Sequence, residues 1–99
     1  MFASHNDIVY FEADGMYTNV QLIDGKQKTI CKPLKHFVEQ LERNAMFFKC
    51  HRSYLINLKY VDELVKDDGD YLLMNNQKRI PISKSKRDQF LDVIKETFM

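Results

Sequence analysis

Phe47-Phe48-Lys49-Cys50-His51-Arg52-Ser53-Tyr54-Leu55-Ile56-Asn57 is the stretch that decides how this chain folds. Met46 to Cys50 and Ser53 to Ile56 are apolar runs with β character, and His51-Arg52 splits them. A sharp polar break between two such runs marks a loop pushed out of a sheet. Arg52 is the side chain best suited to reading guanine by a bidentate contact, or else it forms a surface ion pair. His51 is a phosphate contact or simply ties down the loop.

Upstream of this stretch, 8–13 is rich in β-formers and stops at Asp14-Gly15, a turn signal. The alternating run 17–23 leads into Asp24-Gly25, a strong hairpin signal, and 28–31 makes the returning strand. Lys32-Pro33 suits a helix start, and Leu34, Phe37, Val38 and Leu41 follow at helical spacing. Downstream, 61–65, 71–74 and 79–82 read as short strands, with turns at Asp68-Gly69 and Asn75-Asn76. Ser83 opens a last helix, with Phe90, Leu91, Ile94 and Phe98 on one face. The fold class is α+β, mostly antiparallel sheet.

The 99 residues fit one domain, 1–99, with a composition of 44% hydrophobic and 29% charged residues that is ordinary for a globular chain. Three Gly, two Pro and no internal period exclude collagen-like, repeat and low-complexity readings. No apolar stretch approaches the roughly 18–20 residues of a membrane helix, and no signal peptide opens the chain. Cys31 and Cys50 are too few for a disulfide framework and read as reduced, cytoplasmic thiols.

The net charge of +1 conceals a block structure. Residues 1–25 carry −4, 26–60 carry +6, 61–76 carry −4 and 77–99 carry +3. The blocks give either a mixed solvated surface or, if the fold gathers the basic ones, a cationic stripe.

No Walker loop, GxGxxG, HExxH or CxxC is present. His5, His36 and His51 lie far apart, and adjacent Cys50 and His51 point opposite ways on a strand, so neither a metal site nor a nucleophile–base pair is expected. Asp67, Asp68 and Asp70 around Gly69 read as a solvated hairpin tip. No cofactor is implied, and nothing argues for an enzyme.

The basic residues are oddly placed. Ser83-Lys84-Ser85-Lys86-Arg87 puts three cations in the first turn of the last helix, where the helix dipole disfavours them. Lys32, Lys35 and His36 repeat this at the first helix. Either the long side chains splay into water, or an anion docks where free N–H groups and cations converge. Two such starts on one small chain favour a ligand with spaced phosphates.

The central stretch resembles the signature of the LytTR family, F-x-x-x-H-R-S-Y-x-V-N. Residues 8–17 resemble its opening strand and loop, Leu34 and Leu41 fit its short helix, and Ile80-Pro81-Ile82-Ser83-Lys84 matches its closing element. The resemblance spans about 8–96. It implies an elongated stack of small antiparallel sheets with two short helices that binds promoter DNA through loops in successive major grooves, as the output domain of a bacterial two-component response regulator.

Residue by residue, the resemblance implies base contacts from Tyr17, Arg52 and Lys84, with Met16, Thr18 and His51 as neighbours. Lys32, Lys35, Lys49, Ser53, Ser85, Lys86 and Arg87 would contact phosphates. Some members carry His at the position of Tyr17 and Arg at that of Lys84. It also implies paired binding to repeated half-sites as a homodimer, and a receiver domain upstream of a first strand cut near Met1-Phe2-Ala3. The competing readings are a protein-interaction module using exposed strands, and single-stranded RNA binding through Tyr10, Phe11 and Tyr17.

Overall fold

The computed structural model describes residues 4–66 and 69–98. Ile8–Asp14 (β1) and Tyr17–Leu22 (β2) form a hairpin, and Gln27–Ile30 (β3) returns along β2. The first connection is only Gly15-Met16. Gly15 has φ 61° and Met16 does not enter the positive region, the pattern of a type II′ turn, whose twist matches its strands.

Leu34–Gln40 (α1) follows, with Pro33 as its extended N-cap residue, one position earlier than a first-turn proline. Phe47–His51 (β4) and Tyr54–Asn57 (β5) form the second hairpin. Because β5 pairs with β1, the sheet order is β3-β2-β1-β5-β4. Val61–Val65 (β6), Tyr71–Met74 (β7) and Arg79–Pro81 (β8) make a second antiparallel sheet, and Lys84–Phe98 (α2) closes the fold.

The larger sheet lies between two cores. On one face Ile8, Phe11, Val20, Leu22 and Leu55 pack against Leu34, Phe37 and Leu41 of the α1 segment. On the other, Val9, Tyr10, Cys50 and Ile56 meet Leu72, Met74 and Ile80 of the second sheet and Phe90 of α2. Covered on both faces, β1 begins with four buried residues in succession, so it reads as a continuous apolar run rather than an alternating one. The stack is only mildly elongated, 33 × 28 × 25 Å.

Two expectations need correction. The buried face of α2 is Phe90 with the half-buried Val93 and Ile94, while Leu91 and Phe98 are exposed. Asp70 is not at a solvated tip: its side chain is 12% exposed and accepts a 2.7 Å hydrogen bond from the Arg87 guanidinium. Asp67 and Asp68, and with them the first half of the Asp68-Gly69 turn, lie outside the described residues.

Candidate nucleic-acid interface

Strand directions decide which connections can act together. β1 ends at Asp14, which pairs with Tyr17 at the start of β2. β3 ends at Ile30 opposite Thr18, so Cys31, Lys32 and the start of α1 emerge beside that turn. β5 starts at Tyr54 opposite Glu12, and the Ala13 N–H donates to the Ser53 carbonyl at 2.8 Å. The turns Gly15-Met16 and Arg52-Ser53 and the β3–α1 junction therefore share one end of the larger sheet.

The start of α2 reaches this end through β4. The Cys50 thiol of β4 lies 3.9 Å from the Pro81 carbonyl, and α2 packs on β4. Ser83 caps the helix, its hydroxyl accepting from the Lys86 N–H at 3.3 Å. The first turn of α2 carries no acid.

The three residues named as base readers are all exposed, Tyr17 at 49%. Met16 beside it is 72% exposed, far more than an apolar side chain needs for folding. Lys32, Lys35, Lys49 and Ser85 are exposed, and Ser53 and Lys86 are half-buried. Lys35 has a long 3.9 Å contact to Glu39, one helical turn on. At 84% and 65% side-chain exposure, that pair leaves the ammonium free to exchange partners.

Two of the named residues are committed elsewhere. Thr18 is fully buried and its hydroxyl donates to the Lys32 carbonyl at 2.7 Å, so it braces the β3–α1 junction and does not face a ligand. The sequence carried that signal, because Thr18 is in phase with buried Val20 and Leu22 on an alternating strand. Arg87 is held by Asp70 and also lies 3.8 Å from Asp88, so it is not a free phosphate ligand. Its spacing to Phe90 and Ile94 puts it on the packed face of α2.

The Arg52 turn is built differently from the Gly15 turn. Neither Arg52 nor Ser53 has a positive φ, although they are the whole connection between paired His51 and Tyr54. Tight hairpins normally rely on such residues to match the twist of their strands. This one is held by its neighbours instead. The Ser53 N–H donates to Nδ1 of His51 at 3.1 Å, so the imidazole ties down the loop. The Tyr54 hydroxyl donates to Glu12 at 2.7 Å, and Lys78 sits 5.9 Å from the Tyr54 ring centre. Burial, and secondarily the Glu12 carboxylate, hold the Tyr54 phenol above its ordinary range, so it stays a donor.

The Cys50 thiol is fully buried, and its pKa is pushed up by that burial to about 12, which makes it inert as a nucleophile at neutral pH. Among the described residues no group of His, Cys, Asp and Glu side chains could hold a metal ion, and no helix is long and apolar enough to cross a membrane. Of the aromatics considered for base stacking, Tyr10 and Phe11 are buried core residues, which leaves only Tyr17.

A mostly antiparallel molecule with exposed cations on several connections at one end defines a loop-based polyanion-binding module. The chain belongs to the LytTr DNA-binding domain family, whose model matches residues 1–95. It is 31% and 30% identical over 91 residues to the heme-containing CO-sensing transcriptional regulators RcoM 1 and RcoM 2 of Paraburkholderia xenovorans (strain LB400). Those matches cover 89% of this chain and 33% of each relative, so the chain spans a third of their length. A solved LytTr DNA-binding domain from Bacillus cereus superposes with a TM-score of 0.78 at 26% identity, over 93% of this chain and 84% of that one. The chain is thus a DNA-binding domain of the transcription-regulator type.

Proposed function

We propose that the domain reads promoter sequence in double-stranded DNA as the output part of a two-component response regulator in the cytoplasm, by binding without catalysis. Tyr17, Arg52 and Lys84 discriminate bases, with Met16 and His51 beside them. Lys32, Lys35, Lys49, Ser53, Ser85 and Lys86 hold the backbone on either side. The observation that carries this reading is that connections distant in sequence share one end of the sheet, as contact with a single duplex requires.

The chemistry follows from the residue types. Cations displace counterions from phosphates, and neutralising about six would give a slope of log K against log salt near −5. A good bidentate pair between Arg52 and guanine discriminates by about 1–3 kcal/mol. The Tyr17 phenol offers one hydrogen bond or packs on a thymine methyl. Lys84 reaches a base as a point charge without the planar fork of arginine. Two copies on repeated half-sites would raise a modest single-domain affinity, and a receiver domain in the longer chain would control that pairing.

The test is a fluorescence-anisotropy titration at two salt concentrations with a duplex enriched by in vitro selection, a scrambled duplex and a single strand. Arg52→Ala should weaken the selected duplex at least ten-fold more than the scrambled one. Equal losses on both, or a preference for the single strand, would overturn the assignment.

A further inference from the structure

We propose that Glu12 and Tyr54 are positioning residues for DNA reading: their hydrogen bond holds the Arg52 turn in its reading geometry without touching DNA. The proposal rests on the base-reading role given to Arg52 above.

Three observations carry it. First, the Arg52-Ser53 connection has no left-handed residue and follows a register shift between Phe48 and His51, so the ladder beside the turn is interrupted on the β4 side. Second, Tyr54 directly follows this turn, and its hydroxyl reaches across to β1, where Glu12 is its paired residue in the ladder. The bond is 2.7 Å long and charge-assisted, the stronger class of hydrogen bond. Third, Glu12 is a half-buried carboxylate at the end of the sheet where exposed cations gather. An acid there weakens the attraction for phosphate, so its place is explained by what it holds.

The remaining tethers act on the backbone next to Arg52. The Ala13 N–H fixes the Ser53 carbonyl, and His51 fixes the Ser53 N–H. At the turn end of the hairpin the Glu12–Tyr54 bond ties a side chain to the central strand that also carries the Gly15-Met16 turn, while Asn57 does so at the far end by donating to the Ile8 carbonyl at 2.9 Å. With the backbone ladder of β1 and β5, the Glu12–Tyr54 bond fixes the spacing between two of the turns assigned to reading, and holding contacts in register before binding removes an ordering cost from association.

The experiment uses the whole chain with the selected and scrambled duplexes, and reads the ratio of the two affinities. Tyr54→Phe keeps the ring and removes the donor. It should cut the ratio roughly ten-fold through the selected duplex alone. Glu12→Ala should do the same, whereas Glu12→Gln keeps an acceptor oxygen and should hold the ratio within about three-fold of the original. The double variant Glu12→Ala with Tyr54→Phe should be no worse than either single change.

Amide exchange at Arg52 and Ser53 should accelerate in Tyr54→Phe while exchange in β7 does not, which separates local loosening from unfolding. An unchanged ratio in Tyr54→Phe, with Arg52→Ala still selective, overturns the positioning role alone. An unchanged ratio in Arg52→Ala overturns the reading role beneath it. Loss of the ratio with uniform exchange throughout the chain also overturns the proposal, since the bond would then be merely structural.

Discussion

Arg87 and Cys50 show how single side chains acquire roles that their type does not announce. Arg87 looks like a phosphate ligand by type and position, yet its side chain is 28% exposed and bound to the carboxylate side chain of Asp70, which is 12% exposed. Removing it strands that carboxylate, so Arg87→Ala should destabilise the fold by about 1–3 kcal/mol, readable as a lower urea midpoint. Cys50 is buried and Cys31 exposed, so an alkylating reagent at pH 8 should label one thiol quickly and the second only on unfolding. The same burial gives a pH dependence. With the folded thiol raised from 9.0 to about 12, the native state keeps its proton while the unfolded chain loses it. Stability is therefore unaffected below pH 9 and falls as pH rises from 9 towards 12, by up to about 1.4 kcal/mol per pH unit. Urea midpoints at pH 8 and pH 10 would show the sign.

At the level of elements, the strands were readable because turn chemistry brackets them. Asp14-Gly15 and Asp24-Gly25 stop β1 and β2, and both glycines adopt positive φ. What periodicity could not supply was how the faces are shared. Leu91 and Phe98 fit an apolar stripe with Phe90 and Ile94, but α2 packs chiefly on β4 through Phe90, Val93 and Ile94, which leaves Leu91 and Phe98 exposed. Phe90→Ala should cost about 3–5 kcal/mol, whereas Leu91→Gln should stay within about 0.5 kcal/mol, both measurable by urea unfolding. The turn from β7 to β8 falls at Asn75-Asn76 as expected, and the residue after them, Gln77, is left-handed, with φ 73°. A side chain in that region costs about 1–2 kcal/mol, so Gln77→Gly should raise the melting temperature.

Across the whole molecule, the basic block 26–60 was visible in the sequence but its division was not. Folding sends Lys32, Lys35, Lys49 and Arg52 to the end with the reading turns. Lys26, beyond the last residue of β2, and Lys59, beyond β5, go to the opposite end. Charge blocks along a chain cannot reveal this, because antiparallel strands return neighbouring residues to different ends. The molecule is 33 Å long and screening acts over about 8 Å at physiological salt, so distance should separate the two groups. Lys26→Ala and Lys59→Ala should change duplex affinity less than about two-fold at 0.15 M salt, while Lys84→Ala should change it several-fold. Of the positions proposed to read bases, Arg52 stood out as part of a polar break between apolar runs and Lys84 as a cation in the first turn of a helix. Tyr17 was legible only through the resemblance, since no rule of propensity distinguishes it from any other exposed aromatic. The Gly15-Met16 turn has one more consequence. Its conformation is supplied by the glycine alone, so Met16 and Tyr17 are free to vary without disturbing the strands that carry them. Divergence at this dipeptide could redirect a regulator to new operators while its scaffold stays unaltered, which makes it the natural place to randomise when retargeting the domain.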